Sequence, residues 1–277
     1  MRDSLEAIKV RNAINESLSE PREAFPAEGN MCDFPPCWSY SNRLAKVTSL
    51  HIEYDDGTFF TLDAPKGMPG PSFPGYLDTI LYFGQSDLFS TNYVEISKYQ
   101  ILDFLGFDPK NGAHYNRLNR DLDRAFSITM KTDRFIHPQT RKRSHTDHFR
   151  VLSRMRVSKR KDGISQFYFD DLFLQSLRSG YLKRLDIEFC LDLDKKKKAL
   201  ARFLYSHILK RLGTNSEYVR KIPGFLSDVG LAYLLELKEK NRRQKIKQVL
   251  YPSLDVLKGH AFYDYTVDPS DNIRFLS

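Results

Sequence analysis

The chain has 277 residues, of which 41% are apolar and 13% aromatic, and its formal net charge of +8 corresponds to a pI near 9.2. This composition is that of a globular protein with one large or two ordinary domains. No apolar run approaches the roughly 20 residues of a membrane span, and Cys32, Cys37 and Cys190 form no disulfide or zinc framework. We therefore expect a soluble, cytoplasmic protein without membrane contact.

Residues 1–36 predict an N-terminal appendage that is partly irregular. The first 35 residues carry seven acids against four bases, and Pro21, Pro26 and Pro35 interrupt them. A short amphipathic helix followed by irregular chain is expected here, with the folded part beginning at residue 37.

The next part of the chain predicts mixed α and β structure up to Gly180. Residues 47–62 have the pattern of a hairpin. Further along, the predicted strand 94–97 ends at Ser97, a favourable helix N-cap, and a short helix follows. A Gly-containing corner then leads into a second helix from Ala113. This order is that of a helix-turn-helix.

A strongly basic segment follows that second helix. Residues 131–161 hold eleven Lys or Arg against Asp133 and Asp147, and apolar residues alternate through them at strand-like spacing. A helix followed by a basic β-ribbon is the layout of a winged helix-turn-helix, in which the helix enters a DNA groove and the ribbon, or wing, lies along phosphates.

The C-terminal part repeats the order helix, helix, hairpin. The predicted elements are helices over residues 195–212, 223–230 and about 234–258, the last kinked at Pro252, and a hairpin that closes across residues 268–272. We therefore expect an α+β fold of two tandem winged-helix domains, an N-terminal one over residues 37–180 with a basic wing and a C-terminal one over residues 181–277.

Two predicted helices present polar faces suited to DNA. The first sets arginines opposite an apolar stripe, and residues 238–247 of the second hold six bases against Glu239. Arginine forks match guanine edges or phosphates, and amides match adenine. The alternative in each case is an ordinary solvated face, with Asp121 and Asp123 neutralising the first set. The candidate DNA-binding residues are Asn116, Arg117, Arg120, Arg124, Arg141, Lys142, Arg143, Arg154, Arg156, Lys159, Arg160, Lys240, Asn241, Arg243, Gln244 and Lys247.

Motifs for catalysis are absent from the sequence, so we expect no enzyme activity, cofactor or metal. There is no Gly-rich loop ending in Lys-Ser/Thr for ATP hydrolysis. His137, His145 and His148 lie near Asp147, which leaves open a metal-dependent nickase or nuclease. The paired histidines flanking one apolar residue that a rolling-circle nickase requires do not occur. A structural module that binds an acidic protein partner is a further alternative.

The helix-turn-helix region resembles a known family. The segments VEISKYQILDFLG and AHYNRLNRDLDRAFSITMKT are similar to the first winged helix of plasmid replication initiators of the replication initiator protein A group, with Tyr115, Leu118, Leu122 and Arg124 at that family's motif positions. ALARFLYSHILKRL and KIKQVLYPSLDVLKGHAFYDYTV resemble the helix, the long final helix and the wing of its second half. The resemblance covers roughly residues 34–277.

The resemblance implies a sequence-specific, double-stranded DNA-binding initiator of replication at repeated sites of a plasmid-type origin, which opens DNA for host replication proteins. In that family the C-terminal winged helix makes the main contacts, and the N-terminal one contacts DNA or mediates a homodimer. Carried over, Arg117, Arg120 and Arg124 belong to the first module, and Lys240, Asn241, Gln244 and Lys247 to the second. A winged-helix transcriptional repressor is the closest alternative.

Overall fold

The computed structural model describes residues 24–34, 38–40, 44–54, 56–85, 87–137, 140, 142–143, 145–160, 162–180, 182–213 and 215–277. The strands are β1 (Ala24–Glu28), β2 (Ser49–Glu53), β3 (Phe59–Asp63), β4 (Tyr93–Ser97), β5 (Thr129–Thr132), β6 (Asp147–Phe149), β7 (Leu152–Arg156), β8 (Ile164–Phe169), β9 (Leu182–Asp186), β10 (Glu217–Lys221), β11 (Asp264–Val267) and β12 (Asn272–Leu276). The α-helices are α1 (Gly29–Asp33), α2 (Phe73–Phe83), α3 (Lys98–Phe104), α4 (Gly112–Ser127), α5 (Asp171–Arg178), α6 (Ile187–Lys195), α7 (Ala199–Leu212), α8 (Ile222–Asp228) and α9 (Glu239–Asp255).

The first winged helix comprises α2, β4, α3, α4, β7 and β8. Its three strands form an antiparallel sheet in the order β4-β8-β7. Helix α3 begins where β4 ends, because the Ser97 hydroxyl accepts the Gln100 N–H (3.1 Å) while the Gln100 side chain accepts the Ser97 N–H (3.0 Å). Such a reciprocal cap satisfies backbone donors that a helix start leaves unpaired. Helix α4 follows α3 after a short turn, so the predicted helix-turn-helix is confirmed.

The second winged helix repeats this arrangement with α7, β10, α8, α9, β11 and β12. Its antiparallel sheet has the order β10-β12-β11, so the first strand again pairs with the last. Pro223 lies in the first turn of α8, where a missing N–H costs no helical hydrogen bond. The predicted α+β fold of two tandem winged helices is confirmed.

Helix boundaries in this half differ in part from those expected. The helix predicted over residues 195–212 begins four residues later, as α7. It is preceded by α6, which was not predicted, and Lys197 adopts a positive φ of 56° between the two helices. The helix predicted from about residue 234 starts at Glu239, after a 3-10 turn at Ala232–Glu236. It continues through Pro252, as expected.

The basic ribbon predicted over residues 131–161 is wrong as a single hairpin. Strands β5 and β6 belong to a separate four-stranded sheet of order β2-β3-β5-β6, whereas β7 pairs with β8. Apolar packing divides the predicted ribbon between two sheets. The rings of Phe135 and Phe149 pack on each other under one sheet, with their centres 5.3 Å apart, and the buried Leu152 begins the other sheet. The wing of the first module is therefore residues 157–163, between β7 and β8.

Within the expected appendage over residues 1–36, residues 24–34 are part of the fold, whereas residues 1–23, 35 and 36 lie outside the described part. Strand β1 pairs antiparallel with β9, and Phe34 is buried. Lys210 Nζ on α7 donates to the Gly29 carbonyl at 2.7 Å. The prolines were expected to keep this segment irregular. Pro26 nevertheless lies in a strand, because both strands of a two-stranded sheet are edge strands and an edge strand tolerates a missing N–H.

The two winged helices share one apolar core. Their first helices, α2 and α7, are joined by the buried pair Asp78–Arg202, and Trp38 packs edge-on against Phe203 at 5.7 Å. Tyr40 Oη donates to the Gly230 carbonyl at 3.0 Å. Among the described residues, no helix is both long and apolar enough to cross a membrane.

Candidate nucleic-acid interface

Helix α4 is the second helix of the first helix-turn-helix. The Asn111 side chain caps its start by accepting the Ala113 N–H at 2.9 Å. Tyr115, Leu118 and Leu122 are buried, as the apolar stripe predicts. The opposite side of the helix leaves three predicted DNA-binding side chains exposed: Asn116, Arg117 and Arg120.

The aspartates of α4 leave most of this face cationic. Asp123 accepts Lys66 Nζ at 2.7 Å, so its charge is matched from another segment. Asp121 is fully buried and accepts the Gly70 N–H at 3.0 Å; burial is the main cause that raises the pKa of its carboxyl. Arg120 Nε lies 3.6 Å from Asp121 Oδ1 yet remains exposed. Among the described residues, Asp121 with Arg120 is therefore the one contact in which an aspartate of α4 partly neutralises an arginine of this face.

Arg124 does not fit its predicted position on the exposed face. Its side chain is half-buried, and its Nη1 donates to the Met68 carbonyl at 3.2 Å. This contact ties α4 to the loop before α2. On the helical wheel Arg124 lies between Arg117 and Arg120, so the helix pattern alone predicts it exposed, and only the loop at Met68 accounts for the difference.

The first wing carries cations on its strand and at its tip. On β7, the Arg154 guanidinium carbon lies 5.2 Å from the centre of the Tyr168 ring, and Arg156 donates to Gln166 at 3.4 Å. Lys159 and Arg160 are exposed in the tip. These four predicted residues are therefore brought together on one hairpin.

The remaining predicted cations of the ribbon belong to the β5–β6 loop of the other sheet. Lys142 and Arg143 are exposed there, and Arg143 Nη1 lies 3.7 Å from Asp56 Oδ2 in the β2–β3 turn. Arg141 lies outside the described residues. The structure thus separates Lys142 and Arg143 from the first wing.

Helix α9 is the corresponding helix of the second module. Ile246, Leu250 and Leu254 are buried on its inner side. Its predicted polar residues Lys240, Asn241, Gln244 and Lys247 are exposed, and within the described chain their side chains make no hydrogen bond or ion pair. Arg243 is also exposed but pairs with Glu239 at 2.6 Å, one turn away. Such an exposed pair contributes little and can open to a phosphate.

The second wing has the opposite charge to the first. Asp268 accepts the backbone N–H groups of Ser270 (2.8 Å) and Asn272 (3.0 Å), and hydrogen bonding from Asn272 lowers the pKa of its carboxyl. A cavity of about 330 Å³ separates this wing from α9, with Arg242, Lys247 and Asp271 in its lining. The helix side of that groove is cationic and the wing side is acidic.

Two residues that were not predicted from the sequence as functional, Lys98 and Asn119, contact each other beside the exposed side of α4. Lys98, the first residue of α3, is 5% exposed, and its Nζ donates to Asn119 Oδ1 on α4 at 3.3 Å. Asn119 is exposed. The sequence feature that could have pointed to Lys98 is its position in the first turn of a helix, where the backbone N–H groups already carry partial positive charge and a cation is unfavourable.

Two of the three clustered histidines, His137 and His145, lie beside each other, and His137 also lies close to Asp147. His137 Nε2 lies 3.2 Å from Asp147 Oδ2, and the His137 and His145 rings meet edge-on at 5.8 Å. Across the described residues, no group of three or more His, Cys, Asp or Glu side chains is arranged to hold a metal ion.

Comparison with solved structures identifies the architecture. The chain is similar to domains 2 and 3 of RctB, a replication initiator of Vibrio chromosome II, with a TM-score of 0.55 and 12% identity over 90% of this chain and 97% of that one. A second structure of RctB domains 2–3 gives a TM-score of 0.44 and 13% identity, over 83% and 90% of the two chains. No protein-family model matches the sequence, and no curated protein sequence matches it.

Proposed function

We propose that the chain is a double-stranded DNA-binding replication initiator that recognises repeated sites at a plasmid-type origin. One observation carries the proposal: both helix-turn-helix units expose a polar, cationic side of their second helix. The same tandem architecture in RctB, which is a replication initiator, supports the assignment.

In the proposed complex, α4 and α9 enter successive major grooves, because an α-helix fits that groove and its side chains reach base edges there. Arg117 and Arg120 act from α4, and Asn241 and Gln244 from α9. Amides with their combined donor and acceptor suit adenine, and arginine forks suit guanine or phosphate.

The two wings contribute unequally to this complex. Lys159 and Arg160 in the first wing contact phosphates and supply affinity without sequence preference. The second wing carries Asp268 and Asp271, so its module depends on the lysines of α9 for attraction to DNA. Affinity that is independent of sequence therefore comes largely from the first module, whereas the second adds base reading.

The initiator acts without enzymatic chemistry in this proposal. It binds DNA, and host replication proteins act on the opened duplex; a homodimer is the form expected when initiation is repressed. These partners follow from the resemblance to plasmid initiators rather than from any contact within the described chain.

The test has two parts. Selection from a pool of random duplexes with the full chain should yield a preferred site, and that site should recur as direct repeats in the DNA flanking the coding sequence. A circle carrying the coding sequence and these repeats should then replicate in a host where its other origin is inactive. Failure to select any sequence, or replication that does not require the repeats, would reject the proposal.

A further inference from the structure

Lys98 occupies a position that destabilises a lysine in three ways. It is 5% exposed, it is the first residue of α3, and no carboxylate pairs with it in the described chain. Burial lowers the pKa of its ammonium group. Buried charges ordinarily have a partner of opposite sign, and cations are disfavoured at a helix N-terminus. Its polar contacts are Asn119 Oδ1 at 3.3 Å and the face of the Tyr115 ring, whose centre lies 6.0 Å from Nζ.

The fold does not require a lysine here, as the second module shows. In each module a five-residue first strand passes directly into the second helix, β4 into α3 and β10 into α8. The first helical residue is Lys98 in one and Ile222 in the other, and Ile222 is also buried. An apolar side chain therefore meets the packing need of this position, and the lysine has another role.

That role follows from hydrogen-bond chemistry at Asn119. A lysine ammonium donates only, so the amide group of Asn119 must turn its oxygen toward Lys98. The amide nitrogen then points away from Lys98, and because Asn119 is exposed, that nitrogen is free to donate to DNA. Reading adenine in the major groove requires an amide to turn both its oxygen and its nitrogen to the base, whereas guanine presents acceptors, N7 and O6, to a donor.

On the basis of the proposed function, we propose that Lys98 orients Asn119 so that the first recognition helix selects guanine at one position of the DNA site. Asn119 is the reading residue and Lys98 a positioning residue. Lys98 is buried, so it makes no direct phosphate contact.

The experiment selects preferred duplexes from a random pool with four full-length proteins: the parent, Lys98→Met, Asn119→Ala and the double variant. At the position where Asn119→Ala loses its preference, the parent should favour guanine over adenine about tenfold, a discrimination within the range of a base contact. Lys98→Met releases the amide, so the preference there should change to adenine. The double variant should match Asn119→Ala.

Lys196→Met is the matched control, because Lys196 is exposed at the C-terminal end of α6, outside the helix-turn-helix, and pairs with Asp192 at 2.7 Å. It removes one positive charge and should leave every base preference unchanged. Asn119→Ala, an exposed substitution, keeps the test valid if Lys98→Met folds poorly.

The outcomes separate the two proposals. A parent that selects a site, with Asn119→Ala unchanged at every position, overturns the inference and leaves the proposed function standing. Loss in Asn119→Ala without any change in Lys98→Met overturns the positioning role. A parent that selects no sequence overturns both.

Discussion

Arg202 on α7 donates to Asp78 on α2, so the first helices of the two winged helices are joined by a buried ion pair. Arg202 is 3% exposed and Asp78 is 8% exposed. Asp194 on α6 lies close enough to raise the pKa of the Arg202 guanidinium further. One buried cation thus faces the buried Asp78 and the half-buried Asp194, whose carboxylate oxygens are inaccessible to solvent, at the junction between the modules.

Removing this cation should destabilise the junction. Arg202→Met leaves Asp78 buried and unpaired, and breaking a buried pair on one side costs roughly 3–5 kcal/mol. Urea unfolding followed by circular dichroism should show that loss. The double variant Asp78→Leu/Arg202→Met should recover much of it, because apolar residues of similar volume replace such pairs well. Equal stability of Arg202→Met and the parent would show that the pair contributes nothing.

The same cluster predicts stability that falls as pH rises. Burial raises the pKa of Asp194 to about 7 and that of Asp78 to about 6, from 3.8. A carboxyl with a higher pKa in the folded chain keeps its proton there, so its ionisation weakens folding between about pH 4 and pH 7. Asp194→Asn stays neutral and should exceed the parent in unfolding free energy at pH 8, by on the order of 2 kcal/mol, with little difference at pH 4. A gain that is the same at both pH values would contradict this origin.

Arg120 and Arg124 form a matched pair on α4 with different predicted roles. Arg124→Ala removes the contact with the Met68 carbonyl, so it should lower the unfolding free energy by about 1 kcal/mol or more. Arg120→Ala should instead weaken DNA binding with little effect on stability. Urea unfolding and fluorescence anisotropy on a common duplex measure the two effects. Equal behaviour of the two variants in both assays would argue against this division.

The wing tip should control the salt dependence of binding. Lys159→Ala/Arg160→Ala removes two phosphate contacts, which should lower the slope of log affinity against log salt by about 2 on any duplex. Lys142→Ala/Arg143→Ala is the control with the same charge change in the β5–β6 loop, where Arg143 already lies beside Asp56. Its slope should change less. A larger change in the control would place the phosphate contacts on the other sheet.

The sequence predicted those parts of the fold that depend on local rules. Ser97 as a cap, the apolar stripe of Tyr115, Leu118 and Leu122, and the hairpin near the C-terminus all follow from spacing and turn chemistry. These features are enough to predict one helix-turn-helix with its sheet, and the repeated order of elements is enough to predict a second such module.

Strand pairing over long separations could not be predicted in the same way. Residues 131–161 alternate like one ribbon, and only the packing of Phe149 and Leu152 under different sheets divides them. Likewise, β1 finds its partner in β9, more than 150 residues away, which no local pattern specifies. The contact between Lys98 and Asn119 arises from the crossing of two helices, so it too was invisible in the sequence.

Hydroxyl-radical footprinting of the full chain on its selected duplex tests most directly whether both winged helices bind one DNA. The account predicts two protected windows, with Arg117→Ala/Arg120→Ala removing one and Lys240→Ala/Gln244→Ala removing the other. A single window, or protection that survives both sets of substitutions, would contradict it.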